Sequence, residues 1–457
     1  MDMIVFIPAL LAAYVALVYS PQKAFLGVYI PVLLLLPEYY RWMAAGLPDP
    51  TFSEATIIPI VIVFLLRRGR GWTFTFTDLL VFGFAFCVAY AEFLSAGYSD
   101  AQNLMFDMFG KVLFPYMLAK GLIEPLGLRV AFAKRLVFIL FCVAVIGVLE
   151  FRLGMTPWRL LLDPFFPGQA QSWVTNSRWG FPRVAGPYAH AILAGLMLVV
   201  GYRIHRWLEW SQQWEPRFRK VPWLGPSKVG ILTLGLLGGI FMTLSRGPWL
   251  GGLLAGVVVM IGRTKNRWKA LAVASLLAVG LGLPAGFAVQ EYVSVGRQGA
   301  SSLTQETAAY RKEMVEKYLD IALEHSLWGW GTNGWPQIPG MPSIDNHYLL
   351  MALRYGFLSV GLFVLILATT SFRLFRLGMR QPPSNPPGSS LAFTLLSLYA
   401  VIGISITTVF LGVQTLPMFF LITGWAEGYL LCGEESVIAV PSQQASLPTF
   451  KFQRVLT

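Results

Sequence analysis

The sequence predicts an all-α protein that crosses a membrane about 12 or 13 times. Of its 457 residues, 56% are hydrophobic and only 13% are charged, whereas about a quarter are charged in an ordinary soluble domain. A water-facing surface of this size cannot be built from so few ionic groups. Because backbone groups in lipid must be satisfied within their own segment, each long apolar run is predicted to be a helix.

Apolar runs account for every predicted membrane helix. They lie near residues 3–19, 24–40, 54–66, 78–95, 106–123, 131–149, 186–204, 229–244, 248–262, 268–289, 346–370, 391–411 and 413–431. The first run lacks the positive n-region of a signal peptide and is longer than an h-region, so we expect it to remain as the first helix. The runs and their loops form one predicted transmembrane domain, residues 1–432. The polar tail, residues 433–457, is predicted to be cytoplasmic and disordered.

Basic residues between the apolar runs give the predicted orientation. The clusters that carry most of the net charge of +12 lie near residues 67–70, 203–220, 263–269 and 373–380. Alternation of the helices puts all four clusters on one side, which the positive-inside rule assigns to the cytoplasm. The long loops 150–186 and 290–345 then lie on the opposite, outer side, the second with an amphipathic helix. This distribution favours membrane orientation over nucleic-acid binding, so no nucleic-acid partner is expected.

The sequence offers no metal site and no disulfide framework. Cys87, Cys142 and Cys432 lie inside or at the edge of apolar runs, which favours packed thiols. No outward-facing cluster of carboxylates, histidines or cysteines has the spacing of metal ligands. We therefore expect neither a metal nor another cofactor.

Three arginines on the predicted outer side are the strongest chemical signal. Arg183 lies in GFPRVAGPYAH, Arg246 in the TLSRGPWLG turn between two apolar runs, and Arg311 in the amphipathic loop helix. Such a residue is costly near the membrane edge unless it faces protein, water or an anion, and its guanidinium suits phosphate oxygens. The structural alternative is that each one snorkels to the headgroups or pairs with Glu306 or Asp345. Three together favour an anion site.

His347 lies at the predicted outer end of a membrane helix, in the passage DNHYLLMALRYG. Asn346 or the residue before it can cap that helix, and Arg354 follows on the same face two turns deeper. An imidazole at this position could accept or orient a proton, although spacing alone favours a part in helix capping. His190 follows Arg183 by seven residues and would share its helix face if that helix began early. Its simpler interpretation is a satisfied polar residue in the bundle.

Two stretches resemble the O-antigen ligase and Wzy-type polymerase superfamily of bacterial envelope enzymes. One is the Ser245-Arg246-Gly247 turn, and the other is the passage HSLWGWGTNGW to DNHYLLMALRYGFLSVGLF, residues 325–363. The family-like core spans about residues 183–363. The positions that match the family pattern are Arg183, Gly186, Gly329, Gly331, Asn346, His347 and Gly356. Two departures are the order Asn-His in place of His-Asn, and Arg354 where an acidic residue is frequent.

The resemblance implies a metal-independent, inverting glycosyltransferase of the bacterial inner membrane. Members transfer glycan from an undecaprenyl-pyrophosphate carrier to an acceptor hydroxyl on the periplasmic face. The acceptor is lipid A-core for a ligase and a growing carrier-linked polysaccharide for a polymerase. The implied site residues are Arg183, Arg246 and Arg311 on the pyrophosphate, His347 as the catalytic residue, and Asn346, Arg354 and His190 around them.

Two alternatives remain open at this stage. A lipid-linked glycan flippase would use buried charges such as Glu92, Asp107 and Lys111, although the last two are more simply an ion pair four residues apart. A protein O-oligosaccharyltransferase would use the same chemistry with a protein acceptor. The tryptophans of the second loop, Trp328, Trp330 and Trp335, could stack on sugar rings or anchor that loop at the interface.

Overall fold

The computed structural model describes residues 2–44, 46–68, 72–217, 227–341, 343–412 and 414–432. Most of these residues are helical and very few lie in strands, which confirms the predicted fold class. The one sheet within those ranges is a hairpin of β1 (Ser177–Arg178) and β2 (Phe181–Pro182). The predicted tail, residues 433–457, lies outside the described residues, as do parts of the first two basic clusters.

The amino-terminal third of the chain forms short and long helices that run back and forth. They are α1 (Phe6–Val18), α2 (Pro21–Ala24), α3 (Ile30–Leu35), α4 (Phe52–Arg68), α5 (Phe76–Ala96), α6 (Tyr98–Asp107), α7 (Phe114–Leu122), α8 (Arg129–Leu153) and α9 (Pro157–Leu162). A 3-10 turn, Asp2–Val5, extends α1. Wider π-helical turns, Phe25–Tyr29 and Met108–Leu113, join α2 to α3 and α6 to α7 into continuous rods.

The remaining helices include the family-like segment. They are α10 (Ala191–Trp210), α11 (Lys228–Met242), α12 (Arg246–Arg263), α13 (Arg267–Ser294), α14 (Leu303–Glu324), α15 (His347–Arg380), α16 (Leu391–Ser405) and α17 (Thr415–Cys432). All thirteen predicted apolar runs coincide with helical segments. Six helices, α5, α8, α10, α13, α15 and α17, are long and apolar enough to cross a membrane, and four apolar stretches are shorter. The protein is therefore a polytopic membrane protein.

The helices pack closely where small residues and buried ion pairs allow it. Gly424 of α17 lies against the Tyr116 carbonyl of α7, and a Cβ there would collide with it, as expected where helix backbones approach in a membrane protein. Lys120 and Asp78 form a buried ion pair of 2.6 Å between α7 and α5. By contrast, α13 stands apart, because none of its most apolar window is buried against the described residues.

One end of the bundle gathers the basic clusters. The Arg263 guanidinium lies 4.5 Å from the ring centre of Trp210. Arg267 donates to the Gly378 carbonyl at 2.6 Å. These contacts bring the ends of α10, α12, α13 and α15 together, as the predicted alternation requires. Assigning this end to the cytoplasm remains a prediction from the positive-inside rule.

The opposite end, called the outer end below, is covered by loops that hold one another. The Gln414 side chain donates to the Leu36 carbonyl at 3.0 Å and to the Pro187 carbonyl at 2.8 Å. The amphipathic helix α14 buries Met314 and Tyr318 against α15. The outer loops therefore form a packed layer over the helices, and the candidate site lies in this layer.

Candidate functional site

Two arginines fasten the β-hairpin to the turn between α11 and α12. Arg183 Nε donates to the Thr243 carbonyl at 3.2 Å, and Nη2 donates to Ser245 Oγ at 2.9 Å. Arg178 Nη1 donates to the Leu244 carbonyl at 2.6 Å. Leu244 has a φ of 47°, a left-handed conformation that an L-residue adopts only at a cost. These bonds hold the turn in this strained shape and place Arg246 at the first position of α12.

Arg246 and Arg311 complete a group of four guanidiniums with Arg178 and Arg183, called the arginine group below. Arg246 is exposed, and its guanidinium lies 5.4 Å from the ring centre of Trp179. Arg311, on α14, makes a long contact of 3.5 Å to the Thr408 carbonyl. Its buried Nε has no hydrogen-bond partner among the described residues.

The positive charges of the arginine group act on one another. Burial and, after it, the charge of Arg178 lower the pKa of Arg183 to about 10. Burial, followed by the charges of Arg246 and Arg311, lowers the pKa of Arg178. In the described ranges, no carboxylate lies within ion-pair distance of any of the four guanidiniums. Clustered cations without a counter-charge are the arrangement that an anionic ligand neutralises.

His190 lies beside the arginine group and caps α10. Its Nδ1 accepts the backbone N–H of Ile192 at 3.1 Å, so Nε2 is the ring nitrogen that can carry the proton. Burial and then the charge of Arg183 lower its pKa to about 4, although Asp345 acts in the opposite direction. The imidazole is therefore neutral at pH 7 and can donate one hydrogen bond.

The prediction that Arg183 and His190 share one helix face is wrong, because α10 begins only at Ala191. The backbone N–H groups of Ala185 and Gly186 instead donate to the Glu150 carboxylate of α8, at 3.2 and 2.8 Å. Those bonds hold the turn at Gly186 that leads to the helix cap. The two side chains still come close together, through this loop rather than through a helix.

His347 occupies a separate cavity of about 240 Å³. Asn346 Oδ1 accepts the Leu349 N–H at 3.2 Å, so Asn346 caps α15, one of the two predicted caps. The His347 backbone N–H donates to the Ile406 carbonyl at 2.9 Å. Both ring nitrogens are buried and have no hydrogen-bond partner in the described part of the chain. Both ring nitrogens are thus available to hydrogen-bond a ligand in the cavity.

Charged side chains line the same cavity. Arg354 contributes to its wall two turns below His347, as the spacing predicted, and its guanidinium lies 5.1 Å from the ring centre of Trp335. Lys111 and Asp107 form the predicted ion pair, at 2.8 Å, and Lys111 also lies 3.4 Å from Glu54. The cavity wall therefore holds the imidazole of His347, the phenol of Tyr355, two cations and one carboxylate.

The segment after α16 separates the arginine group from the His347 cavity. Its Ile406 carbonyl accepts from His347, and its Thr408 carbonyl accepts from Arg311. Phe410 and Leu411, a little further on, line the His347 cavity. The structure thus brings Arg183, Arg246, Arg311 and His190 together and puts His347, Asn346 and Arg354 on the other side of this one segment.

Glycines of the family-like motif dock the second outer loop onto an interruption in α15. Gly356 has a φ of 73°, and a Cβ there would collide with the Leu327 carbonyl. The freed helix carbonyls of Leu353 and Arg354 accept the N–H groups of Trp330 and Gly331, at 2.8 and 2.9 Å. The loop therefore fixes the half of α15 that carries His347 and Arg354.

A second anchor holds the same loop from α5. The buried Glu92 carboxylate accepts the backbone N–H of Thr332 at 2.7 Å and its hydroxyl at 2.8 Å. Glu92 is thus a structural partner of the loop. Sequence reasoning missed this role, and it also missed Arg178 and Trp179 of the hairpin, because strands of two residues leave no alternating pattern in the sequence.

The fold and this site define a polytopic helical membrane protein with a cationic group and a histidine cavity at one end. Residues 231–366 match the O-antigen ligase family. The matched segment contains Arg246, Arg311, His347 and Arg354, and it confirms the resemblance to the O-antigen ligase and Wzy-type polymerase superfamily. No curated protein matches the sequence. The hairpin that carries Arg178 and Arg183 precedes the matched segment.

Proposed function

We propose that the protein is a glycosyltransferase of the bacterial inner membrane with its active site facing the periplasm. It moves glycan from an undecaprenyl-pyrophosphate carrier to an acceptor hydroxyl, as a ligase or a polymerase of surface polysaccharide. The observation that carries this proposal is the arginine group, four guanidiniums without a carboxylate partner in the described ranges, next to a histidine cavity. The family match gives the substrate class, a lipid-linked glycan.

The arginine group accounts for the leaving group in this proposal. Negative charge on the diphosphate grows as the bond between the sugar anomeric carbon and the phosphate oxygen breaks. Arg183, Arg246 and Arg311 are held before the substrate arrives, so they stabilise that charge more in the transition state than in the ground state. No metal is needed for this stabilisation, and Arg178 adds a fourth cation.

His347 activates the acceptor hydroxyl in this proposal. The acceptor oxygen attacks the anomeric carbon from the face opposite the diphosphate, so the configuration inverts, and the hydroxyl proton passes to a free ring nitrogen of His347. Asn346 fixes the start of α15, and Arg354 lines the cavity below the ring. The Nε2–H of His190 can donate to the diphosphate bound by the arginine group.

The test is transfer by purified protein, with an undecaprenyl-pyrophosphate-linked oligosaccharide as donor and gel mobility as readout. We expect Arg246→Ala and His347→Ala each to lower the rate at least about 100-fold, the usual cost of losing an oxyanion-stabilising group or an acid-base group. His325→Ala is the matched control, because the His325 ring contacts the Trp330 ring and does not line the His347 cavity, so this variant should keep most of the rate.

The outcomes of this assay also separate the candidates. A ladder without an added acceptor indicates a polymerase, a single shift with lipid A-core indicates a ligase, and a shift with a protein acceptor indicates an O-oligosaccharyltransferase. Unchanged transfer by folded Arg246→Ala and His347→Ala protein would refute the proposed site. Binding of the donor without transfer to any acceptor would favour the flippase.

A further inference from the structure

The β-hairpin places Trp179 in a conformation that its side chain disfavours. Ser177 pairs with Pro182 and Arg178 with Phe181, so Trp179 and Gly180 form a two-residue loop. Their φ values are 53° and 78°. A two-residue hairpin loop with both residues at positive φ is of the I′ type, which strongly prefers Asn, Asp or Gly at its first position.

A bulky aromatic residue at positive φ is a backbone outlier. Such strain persists only where the surrounding structure enforces it, and it concentrates at functional sites. Asn or Gly would form this turn more easily, so the turn itself does not explain the tryptophan. The indole must therefore have a role other than forming the turn.

The indole lies at the arginine group. The guanidiniums of Arg246 and Arg178 lie 5.4 and 5.9 Å from its ring centre, and 60% of the residue remains exposed. Arg178 is itself fixed by its bond to the Leu244 carbonyl. An anion held by these two guanidiniums is therefore beside the ring, and so is whatever group is attached to that anion.

We propose that Trp179 is a carbohydrate-stacking residue, which binds the sugar ring attached to the diphosphate held by Arg178 and Arg246. This inference rests on the proposed function. In a glycosyl diphosphate, one bridging oxygen separates the first sugar from the anion, so the sugar lies where the exposed indole is. A pyranose ring offers an apolar C–H face with hydroxyls at its rim. An aromatic ring packs on that face, and the indole N–H can serve a hydroxyl.

The same hairpin contains an aromatic residue that separates this role from membrane anchoring. Tryptophan and phenylalanine side chains can both insert into the interface. Phe181 is 55% exposed, stacks on Phe151 at the end of α8, and has no guanidinium over its ring among the described residues. If the hairpin served only to anchor the protein in the membrane interface, substitutions of Trp179 and Phe181 would have equivalent effects.

The experiment compares two ligands in nanodiscs, undecaprenyl pyrophosphate and the same lipid carrying its oligosaccharide. For Trp179→Asn we expect the Kd of the glycosylated lipid to rise about tenfold, equivalent to about 1.4 kcal/mol. The Kd of the unglycosylated lipid should stay unchanged. Trp179→Phe should keep most of the wild-type affinity for the glycosylated lipid. Phe181→Leu should change neither Kd. Because Asn suits the turn, Trp179→Asn should unfold at the same temperature as the wild type or a higher one.

Every other pattern overturns the inference. An equal loss for both lipids would make Trp179 a support for the guanidiniums, and no loss would leave it without a part in binding. Equal losses in Trp179→Asn and Phe181→Leu would indicate a membrane anchor. The proposed function fails in a different way: the wild type would then bind neither lipid, or Arg246→Ala would bind both as well as the wild type does.

Discussion

At the scale of single residues, His190 joins a structural role to an electrostatic one. Its Nδ1 caps α10, and burial followed by the charges of the neighbouring guanidiniums lowers its pKa and keeps the ring neutral. A helix cap that must stay unprotonated makes the outer end sensitive to acid, because protonation would remove the acceptor and add a fifth cation to the arginine group.

This coupling gives a pH dependence with a definite sign. The pKa of His190 falls from 6.5 to about 4 in the folded protein. The unfolded chain binds the proton more readily, so stability is fully present above pH 6.5 and is lost as the pH falls from 6.5 to 4. The loss is at most about 3 kcal/mol by this linkage. Asn caps helices without titrating.

The measurement is the unfolding temperature in detergent between pH 7 and 4.5, for the wild type and His190→Asn. We expect the variant to lose less stability over this range than the wild type. Parallel curves would show that His190 does not couple acid to unfolding.

Sequence patterns predicted part of the site at this scale. Arg183, Arg246 and Arg311 stood out because cations are costly at the outer membrane edge, and the structure brings them together. Arg178 and Trp179 gave no such signal, since strands of two residues show no alternation of apolar and polar positions. Their place depends on the long-range bond from Arg178 to Leu244, which no local pattern encodes.

At the scale of elements, the interruption of α15 fixes the half of that helix that carries His347 and Arg354. The positive φ of Gly356 leaves helix carbonyls without their helical donors, and backbone N–H groups of the second outer loop donate to them instead. The loop thereby takes the place of the missing helical turn. The sequence showed the glycine and the loop as one motif, but it predicted an uninterrupted helix.

Gly356→Ala tests this interruption. The new Cβ would take a left-handed conformation and collide with the Leu327 carbonyl, so we expect a loss of at least about 1–2 kcal/mol and release of the loop. Gly361→Ala is the matched control on the same helix, because no described atom lies within 4 Å of its added Cβ. It should be neutral or stabilise by up to about 1 kcal/mol.

The readouts are thermal unfolding and protease cleavage within residues 325–341. Faster cleavage in Gly356→Ala alone is the expected result. Equal behaviour of the two variants would mean that the close approach at Gly356 does not hold the loop.

At the scale of the whole molecule, hydropathy was sufficient to locate the six described helices that are long and apolar enough to cross a membrane, because lipid forces apolar segments to satisfy their own backbone. The positive-inside rule then predicted which ends meet, and contacts such as Arg267 to Gly378 join those ends. The packed outer layer was beyond prediction, since it depends on single polar bonds between distant loops, such as those of Gln414.

Orientation in the membrane is tested by cysteine labelling with a membrane-impermeant maleimide. In a background with the three native cysteines replaced, we expect Gln171→Cys to react in intact spheroplasts. Lys265→Cys should react only after permeabilisation, because it lies at the opposite end of the bundle. Both positions are exposed. The reverse pattern would put the arginine group in the cytoplasm and contradict the proposed periplasmic reaction.

Because the membrane window of α13 is not buried against the described bundle, the tilt of this helix depends on the thickness of the bilayer. Its 28 residues span about 42 Å at the α-helical rise, well beyond a hydrocarbon core of about 30 Å. None of its most apolar window is buried against the described residues, so the surrounding acyl chains act directly on its middle, while Arg267 anchors its first turn to the Gly378 carbonyl. A short segment links α13 to α14, which carries Arg311. A thinner or thicker membrane would therefore change the tilt of α13 and, through α14, shift the guanidinium of Arg311 relative to the other three.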